Sequence, residues 1–184
     1  MEKAIKNKNH ILLARAIRHL LANESLDKIT VEDICRDSML SRKTFYRYFP
    51  DKYALVNYVF DELFERAYLS NNADKSWDEA TTIFLNGLVS DQRYYANAYS
   101  FEGQNSLTDH DYKIFYQYYL QKCEEAKGAP LSDDEVFSLK SYCRGSVYLI
   151  AEWAKEGMFE PVNMIVHYFK VSMPETLKRF LAKE

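Results

Sequence analysis

"TVEDICRDSMLSRKTFYRYFPDKYALVNYVF", residues 30–60, holds two short helical patterns, a tight connection and the opening of a longer helix. Thr30 stands three residues before Asp33, a shorter relative of the capping box, in which hydroxyl and carboxylate satisfy exposed amides at a helix start. Val31, Ile34 and Cys35 recur at helical spacing and mark an inward face. After "SML", Ser41 can cap a further helix, with Leu40 before it as the apolar half of a staple. Phe45 and Phe49 lie four apart on one side. A turn of 3.6 residues carries Arg42, Lys43, Tyr46 and Arg47 around to another. Pro50 stops that helix, because the residue before a proline is biased out of the helical region. Asp51 then caps a long fourth helix that begins at Lys52.

Upstream, "ILLARAIRHLLA" carries an apolar helical stripe with Arg15, Arg18 and His19 off its centre. Residues 10–49 therefore read as helix, short helix, tight turn, short helix. A unit of roughly 45 residues with so few large side chains needs core from its neighbour. Leu55, Val56, Val59, Phe60 and Leu63 of the fourth helix are placed to supply it, which makes the boundary a shared helix rather than a linker. The expected division is a head at 1–52 and a body at 53–184.

Charge divides the same way. The chain of 184 residues has a formal net charge of -3, yet residues 1–50 hold 10 Lys/Arg against 6 Asp/Glu and the remainder 14 against 21. A basic head on an acidic body suggests two tasks. The outward side of the third helix fits the B-DNA major groove in diameter, and its capped start presents amides to phosphate. Thr30, Arg42, Tyr46 and Lys52 suit phosphate oxygens. Lys43, Thr44, Arg47 and Tyr48 are the candidates to reach base edges, Thr44 with a methyl for thymine.

These residues resemble the helix-turn-helix of the TetR family of bacterial one-component regulators. The resemblance is carried by Thr30, Val31, Ile34, Ser41, Thr44, Phe45, Tyr46, Phe49, Lys52 and Leu55, in register over about residues 10–58. It implies an all-α protein of about nine helices. An N-terminal three-helix helix-turn-helix domain would be joined by a shared long helix to a C-terminal helical bundle for dimerisation and ligand sensing. In that family the residues matching Thr30, Tyr46 and Lys52 commonly touch phosphates. One position departs from the pattern. The usual Ala-Gly of the turn is Ser38-Met39 here, and methionine at positive φ would carry roughly 1 kcal/mol of strain or more.

The body continues as helical segments at "SWDEATTIFLNGLVS", "DYKIFYQYYLQKCEEAKG", "LSDDEVFSLKSYCRGSVYLIAEWAKEG" and "PVNMIVHYFKVSMPETLKRFLA", the last interrupted at Pro174. Tyrosines crowd its middle, and Tyr95, Tyr99, Tyr116, Tyr119, Tyr142 and Trp153 are the candidates to line a ligand pocket between helices. An acidic, tyrosine-rich body points to a cationic or aromatic ligand rather than an anion. Gly145 with Ile150, and Ile165, Val166 and Phe169 on the following helix, are the candidate homodimer interface, a four-helix bundle across a two-fold axis. Two heads on one DNA face would read a palindromic operator with half-sites about one turn apart or more.

No catalytic set is present: the four histidines are scattered, and no metal knuckle, P-loop or dinucleotide fingerprint occurs. "DHDYK" at 109–113 gathers Asp109, His110 and Asp111, a pattern that a polar loop or helix start explains far better than a metal site does. Cys35, Cys123 and Cys143 form no close pair, which fits a reducing compartment. Without a secretory signal pattern or an apolar stretch of membrane-spanning length, the reading is a cytoplasmic, non-enzymatic regulator without a cofactor, a repressor under a small-molecule effector. The alternative is a protein-interaction module or coactivator whose body binds a protein partner.

Overall fold

The computed structural model describes residues 8–70 and 75–181. Among them the chain forms ten α-helices and one π-helical turn and no strand. The head is α1 (Lys8–Leu21), α2 (Val31–Ser38) and α3 (Arg42–Tyr48), followed by α4 (Lys52–Phe64). The π turn Glu65–Leu69 extends α4, and α5 (Trp77–Ser90) and α6 (Gln92–Tyr99) follow. The remainder is α7 (Leu107–Lys127), α8 (Asp133–Lys155), α9 (Val162–Ser172) and α10 (Glu175–Leu181). The break at Pro174 makes the tenth helix: Met173 leaves α9 with extended backbone and α10 restarts behind the proline.

The helix starts follow the caps in the sequence. Capping boxes close at Thr30/Asp33, Ser76/Glu79 and Ser132/Glu135, and Ser41 and Asp51 accept from Thr44 and Ala54 amides. Ser106 caps α7 earlier than its apolar pattern suggests, accepting from the Asp109 amide. α7 ends on Gly128 in the left-handed region, which spares a side chain the Cβ clash.

One continuous core runs from head to body. Leu55, Val56, Val59, Phe60 and Leu63 are all buried in it together with Leu13, Ile17, Ile34 and Phe45 of the head. Polar ties fix the junction. Arg18 of α1 reaches Asp91 at 2.5 Å, Asn97 Nδ2 donates to Leu21 O at 2.7 Å, and Tyr94 donates to Val56 O at 3.3 Å. His110 of α7 meets Asp61 of α4 at 2.6 Å. The three acidic-histidine neighbours thus diverge, Asp111 going to Tyr99 and Asp109 lying 3.8 Å from Arg144. Successive helical residues point about 100° apart, so a run of three does not converge. The three cysteines are buried and unpaired, and burial pushes the Cys143 thiol up to about 12. Among the described residues no helix is long and apolar enough to cross a membrane.

Candidate nucleic-acid interface

α3 turns one side to the core and the other to solvent. Phe45 is fully buried and Phe49 nearly so, while Arg42, Lys43, Tyr46 and Arg47 are exposed. Tyr46 stands edge-on to the Phe45 ring, centroids 5.3 Å apart. The buried ring therefore supports the exposed one. Ser41 Oγ accepts the Thr44 amide at 3.1 Å, and the two hydroxyls are 2.9 Å apart. The Thr44 hydroxyl is engaged by the cap, and the residue is half-buried.

Two expected DNA contacts are placed differently. Tyr48 is half-buried against α1, its ring 4.5 Å from His10 and its hydroxyl 3.4 Å from Asn9. The last turn of α3 has rotated it away from the side that Lys43 and Arg47 share. Lys52 is half-buried, and its Nζ donates to the carbonyls of Leu26, Asp27 and Ile29 at 2.7, 3.3 and 2.8 Å. Its ammonium ties down the loop that delivers Thr30 and is taken up by carbonyls. Thr30 is exposed, with Oγ1 donating to Asp33 at 2.5 Å and accepting the Asp33 amide at 3.2 Å. Those bonds from Thr30, its hydroxyl first, hold the Asp33 carboxyl below its ordinary range.

The turn keeps a glycine-like conformation without glycine. Met39 has φ 57° and ψ 30°, is 93% exposed, and donates to Arg36 O at 3.3 Å while Leu40 donates to Cys35 O at 3.0 Å. This is a Schellman closure, and it fixes α3 relative to α2 whatever the side chain. Met39→Gly should relieve the left-handed strain and stabilise the protein by about 1 kcal/mol, a midpoint rise of about 2–4 °C. Calorimetry with operator titration checks this; the midpoint rises while affinity stays unchanged.

The body contains a small inner cavity, with about 30 Å³ of free space, walled by Tyr68, Trp77, Phe84, Phe115, Tyr119 and Tyr142 among others. Of the six expected pocket residues, Tyr119 and Tyr142 line it. Tyr95 and Tyr99 are instead packed in the α6 core, Tyr116 stacks on Tyr112, and Trp153 Nε1 donates to Glu160 O. Tyr68, Trp77, Phe84 and Phe115 line the cavity as well and stand outside those six.

The expected interface residues divide likewise. Gly145 is exposed with open space beyond its Cα, and Ile165 is half-buried. Ile150, Val166 and Phe169 are buried inside the protomer, Ile150 and Phe169 against the cavity, so they present little to a partner. The exposed large apolar residues of these two helices are Phe137, Tyr148 and Leu149 on α8 and Met164, Tyr168 and Val171 on α9.

Comparison with known proteins agrees with this geometry. Residues 13–59 match the family described as "Bacterial regulatory proteins, tetR family", and residues 75–175 match the TetR "Transcriptional regulator C-terminal region". The dhaKLM operon transcriptional activator DhaS of Lactococcus lactis subsp. lactis is 26% identical over 84 residues, 46% of this chain and 45% of that protein. The match thus spans less than half of that relative's length. The solved structure of a dihydroxyacetone kinase operon activator DhaS superposes with a TM-score of 0.61 at 19% identity, covering 95% of this chain and 99% of that one. A TetR transcriptional regulator from Streptococcus agalactiae gives 0.64 at 17% identity, covering 88% and 91%. At such identities the two structures speak for the fold, while the sequence matches speak for descent. The chain belongs to the TetR family of bacterial regulatory proteins, DNA-binding regulators of transcription rather than enzymes.

Proposed function

We propose that this regulator is a homodimeric repressor of a palindromic operator, released when a small molecule occupies the body. The observation that carries the DNA half is α3 itself, which exposes Arg42, Lys43, Tyr46 and Arg47 over a fully buried Phe45. Arg42 and Tyr46 are assigned to phosphates, Lys43 and Arg47 to base edges, with Thr30 at the phosphate boundary and Thr44 as a methyl contact. Lys52 acts by holding the 26–29 loop, and Tyr48 by seating α3 on α1. The division between a head at 1–52 and a body at 53–184 places the boundary at the first residue of α4.

Dimerisation is assigned to the exposed apolar side of α8 and α9. Phe137, Gly145, Tyr148 and Leu149 recur along one side of α8, and Met164, Tyr168 and Val171 are four and three apart on α9. A monomer rarely leaves so many large apolar groups together in water. Pairing them across a two-fold axis sets two α3 helices on one face of DNA.

Tyr46→Phe removes one hydroxyl and should weaken binding to all duplexes by similar factors with the fold intact. Lys43→Ala should instead relax preference at one or two operator positions. A phosphate role for Lys43 would lower affinity uniformly and reduce the salt slope by about one. Titration against a promoter-derived operator and a scrambled duplex at two salt concentrations separates these. If both variants keep wild-type affinity and salt slope, α3 is not the DNA-reading surface.

A second reading, activation of transcription, is favoured by the names of the two DhaS relatives. In vitro transcription from the bound promoter distinguishes them: added protein lowers the transcript for a repressor and raises it for an activator.

A further inference from the structure

The inner cavity ends at side chains that also floor an outer cleft. Tyr68, Trp77 and Tyr119 line both the cavity and a cleft of about 440 Å³ that Lys75, Lys122, Glu125 and Phe180 border. Between the two spaces, buried Trp77 donates its indole N–H to the Tyr119 hydroxyl at 3.1 Å. The partition consists of rings rather than backbone, so rotation of side chains suffices to join the compartments.

We propose that cavity and cleft are two chambers of one effector site, gated by the Trp77–Tyr119 hydrogen bond, and that the occupant is a small uncharged aromatic molecule. This rests on the reading of the body as effector-responsive. The lining of the inner cavity disfavours a charged guest. No Asp, Glu, Lys, Arg or His lines the inner cavity; its polar groups are those of Thr81, Cys143, Ser146, Trp77 and the tyrosines. An ion moved there would lose hydration without a counter-charge. The ammonium groups at the cleft are already engaged: Lys75 donates to Arg66 O and Ala67 O at 3.2 and 3.1 Å, and Lys122 lies 3.4 Å from Glu125. A cation is no better served inside, so the acidity of the body as a whole does not set the ligand class.

An aromatic guest is favoured by the walls. Phe115 stands edge-on to Phe84 at 5.2 Å and to Tyr68 at 5.3 Å, and Tyr68 edge-on to Tyr119 at 6.3 Å. A flat ring inserted among them finds edge and face partners of the kind aromatic rings prefer. Size then demands the gate. The cavity as it stands has about 30 Å³ of free space, whereas a benzene-sized guest occupies an engineered cavity of about 150 Å³. The guest must displace Trp77 or Tyr119 and extend toward the cleft.

The third wall residue connects the site to DNA. Tyr68 lies in the π turn that continues α4, and its hydroxyl donates to Thr81 Oγ1 at 3.1 Å. The turn carries the wide bond from the Ser70 amide to Glu65 O at 2.8 Å. Such turns are short interruptions of an α-helix, frequent at functional sites. A guest that moves Tyr68 therefore acts on the far end of the helix that starts in the head at Lys52.

The test uses the full chain and four matched probes at millimolar concentration: phenol, benzyl alcohol, benzoate and benzylamine. Thermal midpoint, tryptophan emission and operator binding are read for each. Phenol and benzyl alcohol should raise the midpoint and shift the emission, and the two charged probes should do neither. Tyr119→Phe keeps the ring but removes the gate acceptor, and should speed phenol association by about tenfold, the factor for one ordinary hydrogen bond. Val147→Phe fills the cavity and should abolish the phenol response while operator binding and helicity persist. Ser146→Leu, at a half-buried cavity position, replaces it if that variant fails to fold. An equal response to benzoate or benzylamine, no response to either neutral probe, or an undiminished response in the filled variant overturns the site. Operator binding without any probe stands apart: if that alone fails, the regulator assignment is what falls.

Discussion

Phe45→Ala should abolish operator binding by unfolding the head, with a loss of about 3–5 kcal/mol. The ring is fully buried, edge-on to Tyr46 at 5.3 Å and tilted against Phe49 at 6.1 Å. It belongs to the cluster that also holds Leu13, Ile17, Ile34 and Leu55. α3 has seven residues, too few turns to persist on backbone hydrogen bonds alone. Whole domains are stable by only about 5–15 kcal/mol, so one such cavity removes a large share of what holds three short helices together. The body has its own aromatic centre in Phe84, Phe115 and Tyr119. Hydrogen exchange should show amides of α1 to α3 losing protection while α7 and α8 keep theirs. A variant that still binds operator with native protection in α2 and α3 would show that the head does not depend on this ring.

The same residue shows why the head was legible in the sequence and other parts were not. Its caps close over three residues and its core pair is four apart, distances that spacing alone resolves. The carbonyl partners of Lys52 escape a reading by spacing, because they lie 23 to 26 residues earlier and come together only in the folded loop. The half-buried place of Tyr48 is set by His10 of α1, a contact that spacing within α3 does not reveal. On α8, Val147 and Ile150 are buried while Tyr148 and Leu149 are exposed. Both sides of that helix are apolar, and periodicity cannot choose which one meets the protomer's own core. The cavity was only partly legible for a related reason. Tyr68 reaches it from a π turn, and an extra residue per turn defeats any reading based on 3.6. Met39 is the opposite case: the sequence raised the question of a strained turn, and the left-handed geometry persists with methionine in place.

Asp111→Asn should stabilise the protein at neutral pH, by an amount that grows with pH. Asp111 is fully buried on α7; Oδ2 accepts the Tyr99 hydroxyl at 2.7 Å, and among the described residues Oδ1 has no partner. Burial raises its pKa from 3.8 to about 8, the Tyr99 hydrogen bond opposing only in part. The native state therefore holds this proton more tightly than the unfolded chain. Below about pH 4 both states are protonated and the group contributes no pH dependence. Between about pH 4 and about pH 8 the unfolded chain ionises while the native state does not, so stability falls by about 1.4 kcal/mol per pH unit. Above about 8 both are ionised and the loss levels off. Asparagine offers Tyr99 the same acceptor and cannot ionise. Its advantage should be small near pH 4 and reach the order of 3–5 kcal/mol at pH 7. Glu135 is shifted the other way, to about 2, first by its hydrogen bond from Lys127, so it lowers stability in strong acid. That effect is common to both proteins and cancels in the difference. Urea unfolding of the two proteins from weakly acidic to weakly alkaline pH gives the curve directly, and a constant difference across that range would mean that the buried carboxyl does not hold its proton in the folded protein.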